Sequence, residues 1–436
     1  MGTTFRGELG QFFTPRTIVD FMVEILDPQE GETICDPTCG SGGFLIKSFE
    51  YVREKIEKDV ESYKKKFKAE FFNEEKLSEN EQIAVNEKYS SILRKLNSDI
   101  NVPNKSYSKQ TDAEKSRRIS RLSSSCIYGT DANPRMARTS KMNMIMHGDG
   151  HGGVHHHDGL INVNGIFEER FDVILTNPPF GSRIEKDYKL SETDKDIDVI
   201  LDLSQTDNKS IERQINAIED QYAKERLMHY YKRYGVEYLQ RLNELNQDIE
   251  EKKTVLSRFD LGKSSSLTEV LFMERCLKLL KKGGRMGIVL PEGVLNTSSL
   301  QKVRDYFESK AKILLITSIP SDVFIASGAT IKPSLLFFKR FTKDEENKYA
   351  EIRAKVRKEI EAKYSDEIAE AKELHAENKR ELAKALKEIS KRIEKEFETV
   401  GKDKIKELFD YEIPIVEVEK AGITTTGAKC ENQLIV

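Results

Sequence analysis

Phe171-Asp172-Val173-Ile174-Leu175-Thr176-Asn177-Pro178-Pro179-Phe180-Gly181-Ser182 opens as an apolar run with a strong β pattern and stops at an amide, two prolines and an aromatic. The run predicts a buried strand. The abrupt stop predicts that this strand delivers Asn177, Pro178, Pro179 and Phe180 to the carboxyl edge of a sheet. That edge is where open α/β sheets bind ligands.

Upstream lies Glu32-Thr33-Ile34-Cys35-Asp36-Pro37-Thr38-Cys39-Gly40-Ser41-Gly42-Gly43-Phe44-Leu45, which reads as a short strand passing through a glycine-rich turn into a helix. Glycines at 40, 42 and 43 let the backbone approach a ligand closely. The spacing is not G-x-G-x-x-G, and no lysine follows as in a P-loop. Asp36 is expected at the strand tip, where a carboxylate attracts a cationic amino group. These features fit the methionine end of S-adenosylmethionine better than a pyrophosphate, with a plain tight turn as the alternative. Further upstream, Gly10-Gln11-Phe12-Phe13-Thr14-Pro15-Arg16 precedes apolar residues at Ile18, Phe21, Met22, Ile25 and Leu26. This is one face of a helix, with Thr14 placed to cap it and Pro15 in its first turn.

Downstream of the glycine turn, Cys126-Ile127-Tyr128-Gly129-Thr130-Asp131-Ala132-Asn133-Pro134 reads as a second strand with Asp131 at its tip, where a carboxylate can accept both hydroxyls of a ribose. A third strand is expected from Val154 to Leu160, with Asp158 at its end facing the cofactor's adenine ring. His147, His151, His155, His156 and His157 share this region with Asp149 and Asp158. Their spacing is that of a flexible loop rather than of ligands fixed on a helix or knuckle, so no metal is expected.

The quartet at 177–180 suits methylation of a planar amine. An adenine-type exocyclic nitrogen is a poor nucleophile, because its lone pair is delocalised into the ring. Two acceptors, the Asn177 side-chain oxygen and the Pro178 carbonyl, can take its two hydrogens and aim the lone pair at an electrophile. The proline after Pro178 holds that carbonyl in an extended geometry, and Phe180 can stack on the base.

With 436 residues and 38% hydrophobic content, the chain can build one sizeable core with polar attachments. Its 71 basic and 74 acidic residues leave a net charge of −3, which excludes gripping nucleic acid by bulk charge; any polynucleotide contact must be local or shared with a partner. Cys35, Cys39, Cys126, Cys276 and Cys430 form no CxxC pair, as expected of free thiols in a reducing compartment. No apolar run reaches membrane-spanning length, and Met1-Gly2-Thr3-Thr4-Phe5-Arg6 is neither a secretory core nor a myristoylation signal. A cytoplasmic protein with no membrane contact is expected.

The expected organisation is a sheet domain over 1–340, interrupted by charged helical insertions at about 51–125 and 183–260, then a charged helical pair over 341–400 and a tail over 401–436 that holds a candidate strand at Ile413 to Val418 and polar turns but no site. Core elements after the second insertion are a helix from Leu267 to Leu280, a buried strand from Arg285 to Pro291, and an antiparallel pair at about Ile313–Ile319 and Ser334–Lys339. The helical pair either offers a seam to another chain or is a solvated hairpin.

Taken together, Gln11-Phe12-Phe13-Thr14-Pro15-Arg16, Asp36-Pro37-Thr38-Cys39-Gly40-Ser41-Gly42-Gly43-Phe44, Gly129-Thr130-Asp131 and Asn177-Pro178-Pro179-Phe180 resemble the modification subunit of type I restriction-modification systems, an N6-adenine DNA methyltransferase family. The resemblance implies an α/β, Rossmann-like methyltransferase fold, mostly parallel with an antiparallel terminal hairpin, helical insertions and a C-terminal helical pair. It implies that Gln11 to Arg16, the Ser41-Gly42-Gly43 turn and Asp131 bind S-adenosylmethionine, with Thr38, Cys39, Gly40, Phe44 and Ala132 as flanking contacts. Asn177, Pro178, Pro179 and Phe180 are then the catalytic set that holds a flipped adenine of double-stranded DNA. The implied partners are a specificity subunit that reads DNA and a restriction subunit. Asn-Pro-Pro-Phe also occurs in RNA and protein-glutamine methyltransferases, so those substrates stay open, as does a non-catalytic cofactor-binding scaffold. The family usually carries a helical domain before Gln-Phe-Phe-Thr-Pro-Arg, whereas this chain begins almost on it, which fits a fragment or an engineered chain.

Overall fold

The computed structural model describes residues 13–71, 78–101, 110–149, 153–327, 332–375, 378–424 and 426–435. The first elements are α1 (Arg16–Leu26), β1 (Ile34–Asp36), α2 (Gly43–Phe71), α3 (Glu79–Asp99), α4 (Arg118–Ser125), β2 (Ile127–Asp131), α5 (Pro134–Met146), β3 (Val154–His156) and β4 (Phe171–Thr176). Then follow α6 (Asn208–Asn216), α7 (Gln221–Glu250), α8 (Thr268–Leu279), β5 (Leu280–Pro291), α9 (Gln301–Glu308), β6 (Ala311–Ser318) and β7 (Pro333–Arg340). The chain continues through α10 (Lys343–Lys363), α11 (Ser365–Leu374), α12 (Lys379–Glu396), α13 (Lys402–Leu408), β8 (Ile415–Glu417), β9 (Ala421–Ile423) and β10 (Lys429–Asn432).

The apolar run at 171–175 is a strand because both of its faces are covered. Val173 and Leu175 enter the core shared with α1 and α2, while Ile174 enters the core shared with α8. The main sheet has the order β3-β2-β1-β4-β5-β7-β6-β8. Every neighbouring pair is parallel except β5 with β7 and β7 with β6. The β6–β7 pair is antiparallel, as expected, but it is not terminal: β8 lies beyond it, parallel to β6. The order reverses between β1 and β4, where Ile34 is level with Val173 and Cys35 with Ile174. The residues just past these two strand ends therefore share one crevice, the topological switch point of a doubly wound sheet.

Two expectations need correction. Helix α1 begins at Arg16 with Pro15 as its cap, and no side chain caps it; Thr14 is used elsewhere. The third strand ends at His156 rather than Leu160, because the chain turns there and the Asp158 carboxylate accepts the Leu160 N–H (3.1 Å). In the second charged stretch Ile211, Ile215, Leu239 and Leu242 are buried together, whereas Tyr222 is 68% exposed.

Helix α2 runs unbroken from the glycine turn, and its Val52 and Ile56 join Ile119 and Leu122 of α4 in the core on the sheet. The charged pair after β7 is a hairpin whose first arm breaks at Tyr364 into α10 and α11. Its seam is filled from within the chain by Val356, Ile360, Ile389, Ile393, Phe397 and Ile405. After β8, the β9–β10 ribbon lies against α1, where the Thr17 hydroxyl donates to the Ala421 carbonyl (2.8 Å). Among the described residues no helix is long and apolar enough to cross a membrane.

Candidate functional site

The crevice is built from three loops. After β1, Asp36 is 1% exposed, and its Oδ1 accepts the Thr176 hydroxyl (2.7 Å) and the Thr38 N–H (3.0 Å). Since the Thr176 hydrogen goes to Asp36, the Thr38 hydroxyl must donate to Thr176 (2.6 Å). This chain of hydroxyls ties the glycine turn to the last residue of β4. Burial raises the Asp36 pKa to about 7, against the pull of these bonds, so the carboxylate expected at the strand tip is an interior group.

The glycine turn itself is shaped by backbone that only glycine adopts freely. Gly40 and Gly42 have φ of 54° and 91°. A side chain on Gly42 would meet the Ser140 hydroxyl at 2.6 Å, whereas one on Gly40 would meet nothing within 4 Å, so the turn is packed behind Gly42 and open beside Gly40. Asp131 holds it from β2, accepting the Gly40 N–H (2.9 Å) on one oxygen and the Asn133 N–H (2.7 Å) on the other. Burial raises its pKa, and the two N–H bonds oppose that. A carboxylate has about four acceptor sites, so hydroxyls of a ligand still find room. The Ser41 carbonyl accepts the Asn143 amide (3.0 Å), and Gly43 starts α2. Cys39 and Phe44 are 5% and 4% exposed and belong to the core beneath the turn.

Asn177 stands at the end of β4. Its Nδ2 donates to the Thr14 hydroxyl (3.0 Å), and its Oδ1 is buried without a hydrogen-bond partner. Pro178 is buried, and among the described residues nothing donates to its carbonyl. The Pro179 carbonyl, by contrast, accepts the Thr268 hydroxyl (3.0 Å). Phe180 is half-buried against the α1–α2 core. The corner thus holds two unspent acceptors on consecutive residues, Asn177 and Pro178.

Two residues at the start of α8 fasten this corner and carried no sequence signal beyond a helix start. Thr268 donates its N–H to the Ser182 carbonyl (3.0 Å), and Glu269 accepts the Gly181 N–H (3.2 Å). Burial raises the Glu269 pKa. Of the remaining expected site residues, Phe13 and Arg16 are exposed, Pro15 is buried, and the Ala132 carbonyl lies 3.1 Å from His156 Nε2. Gln11, Phe12 and His151 fall outside the described residues. His147 pairs with Glu50 (2.7 Å), and burial lowers the His155 pKa to about 4. Among the described residues no group of three or more His, Cys, Asp or Glu side chains is placed to hold a metal.

Curated relatives include the EcoEI type I restriction enzyme methylase subunit of Escherichia coli, 27% identical over 203 residues that make up 45% of this chain and 30% of that protein. The MjaIX type I methylase subunit of Methanocaldococcus jannaschii is 27% identical over 186 residues, 41% of this chain and 20% of that one. Among solved structures, a modification subunit of a putative type I restriction enzyme from Vibrio vulnificus aligns over 77% of this chain and 45% of its own, with 21% identity and a TM-score of 0.42. The matches span less than a third of each curated relative's length. The sequence pattern of the family described as N-6 DNA Methylase matches residues 3–101, 102–221 and 234–419, and the chain belongs to that family.

Proposed function

We propose that this chain transfers a methyl group from S-adenosylmethionine to the exocyclic amino nitrogen of adenine in DNA, as the modification subunit of a cytoplasmic type I restriction-modification assembly. The observation that carries the reading is the buried, unpartnered Oδ1 of Asn177 beside the unspent Pro178 carbonyl. An orphaned buried acceptor costs about 1–3 kcal/mol, which a donor arriving with the substrate recovers. A planar amine brings two such donors. Held by both oxygens, its nitrogen keeps its lone pair turned away from the corner, while Phe180 offers a face for the base.

S-adenosylmethionine, when bound, supplies the electrophilic methyl. The residues here fit it: Gly40 leaves the turn open for close approach, Asp131 has lone pairs left for ribose hydroxyls, and Asp36 lies behind them as a carboxyl whose ionised form a cationic neighbour favours. Asp158 would face the adenine ring of the cofactor. Family membership and the type I methylase relatives support the substrate and the partners, a specificity subunit that reads the site and a restriction subunit. The net charge of −3 agrees with leaving most of the DNA grip to such a partner.

The test uses the chain assembled with its specificity partner, a duplex carrying the target adenine and radiolabelled methyl donor. Asn177→Ala should retain cofactor binding and lose about a hundredfold in turnover, as expected for one transition-state hydrogen bond. Unchanged turnover refutes the role. With RNA and protein acceptors offered in parallel reactions, label recovered in RNA nucleosides or in glutamine, rather than in N6-methyladenine, reassigns the substrate, and cofactor binding without any transfer leaves a scaffold.

A further inference from the structure

A cleft of about 840 Å³ opens beside the 177–182 corner, between the segment after β4, the loop entering α8 and the segment after β5. Its walls continue the corner directly: the Ile184 N–H donates to the Ser266 carbonyl (2.8 Å), and Glu269, which holds Gly181, lines its floor. Arg183, Lys186 and Lys263 line it, are exposed, and enter no ion pair among the described residues. Ser264, Ser266 and Ser299 add hydroxyls. Glu269 is the one carboxylate in the lining, and it is 5% exposed and occupied by Gly181. In a chain of net charge −3, three exposed cations, of which Arg183 also faces Glu269 at longer range, mark a local anion site with the hydroxyls between them.

We infer that this cleft binds the phosphodiester backbone of the DNA strand flanking the extruded adenine. The inference rests on the reading above. A base turned into the corner stays tethered to two phosphates, which must leave the crevice on some side. Arginine, lysine and serine are the usual phosphate contacts and position a strand without reading its sequence. The opposite flank, by the glycine turn, is where the cofactor would lie, so the strand exits over α8. The cleft's size is within the range of small-ligand sites, enough for a short stretch of backbone.

The test compares the assembled wild type with the triple variant Arg183→Gln, Lys186→Gln, Lys263→Gln on a fluorescent duplex across a salt series. Affinity should fall by about tenfold or more, and the slope of log affinity against log salt should flatten by about two to three, roughly one for each lost phosphate contact. The single variant Arg183→Lys should keep the wild-type slope, and calorimetric cofactor binding should be unaltered in all variants, which checks their folding. An unchanged affinity and slope overturn the inference. So does competition by inorganic phosphate or a free nucleotide that matches competition by duplex, because the cleft would then serve a small anion. If the wild type yields no N6-methyladenine but the slope still flattens in the variant, the functional reading falls and the polynucleotide site stands. Methylation with an unchanged slope is the converse, and a wild type that binds no duplex overturns both.

Discussion

At the scale of single residues, the site depends on who holds the Asn177 amide. The Thr14 hydroxyl, 163 residues away in sequence, takes its hydrogen and so fixes which edge of the amide carries the free oxygen. Thr14→Val removes that acceptor and should cut turnover about three- to tenfold, on the order of 1 kcal/mol, with the Michaelis constant for cofactor unchanged and Thr14→Ser restoring the rate. A raised cofactor constant at constant turnover would instead make Thr14 a cofactor contact. Asp36 gives a pH signature. Its folded pKa of about 7 lies above the unfolded 3.8, so the native state holds the proton more tightly between those values. The cofactor-free chain should therefore lose stability as pH rises through that window. Asp36→Asn, which stays neutral and still accepts the Thr176 hydroxyl, should exceed wild type in urea by a small margin at about pH 5 and by a larger one at about pH 8. An equal gap at both values would mean that Asp36 is ionised throughout.

At the scale of elements, the strand at 171–176 and the glycine turn were legible because each writes itself into neighbouring residues: a continuous apolar run for a strand covered on both faces, and glycines where φ is positive. The bonds that join elements were not. The Thr38–Thr176 hydroxyl pair, the Thr14–Asn177 bond and the clasp of Thr268 and Glu269 on the 179–182 loop connect distant segments, and no local periodicity encodes them. Thr14 was expected to cap α1 because Thr before Pro is a common helix start. The hydroxyl is better used here, because an amide that must present one oxygen needs its nitrogen fixed. Helix α1 spares it by beginning one residue later, where the Pro15 carbonyl accepts the Ile18 and Val19 N–H groups (3.0 and 3.1 Å). The burial of Asp36 was hidden for a related reason. A strand three residues long shows no alternation that says which way its last side chain points.

At the scale of the whole molecule, the last residues of the chain hold the first described helix. Val418, Ala421 and Leu434 are buried in the same core as Ile18 and Met22 of α1, and Ala421 accepts the Thr17 hydroxyl across 404 residues. Sequence reads a strand at Ile413 to Val418 here but not its place in the core, because β8 is exposed at all three positions and β9 is three residues long, too little pattern to mark a buried face. Physically it is a strap: it presses α1 onto the sheet, and α1 carries Thr14 up to Asn177. Leu434 is 5% exposed, so Leu434→Ala should lower the unfolding free energy by about 2–4 kcal/mol, read as a shift of the urea midpoint. Turnover should fall further than the remaining folded fraction explains, because loosening α1 frees the Asn177 amide. Thr14→Val should blunt that extra loss, since the two changes act on one hydrogen bond. An unmoved midpoint would show that the strap bears no load, and additive losses in the double variant would disconnect it from the corner.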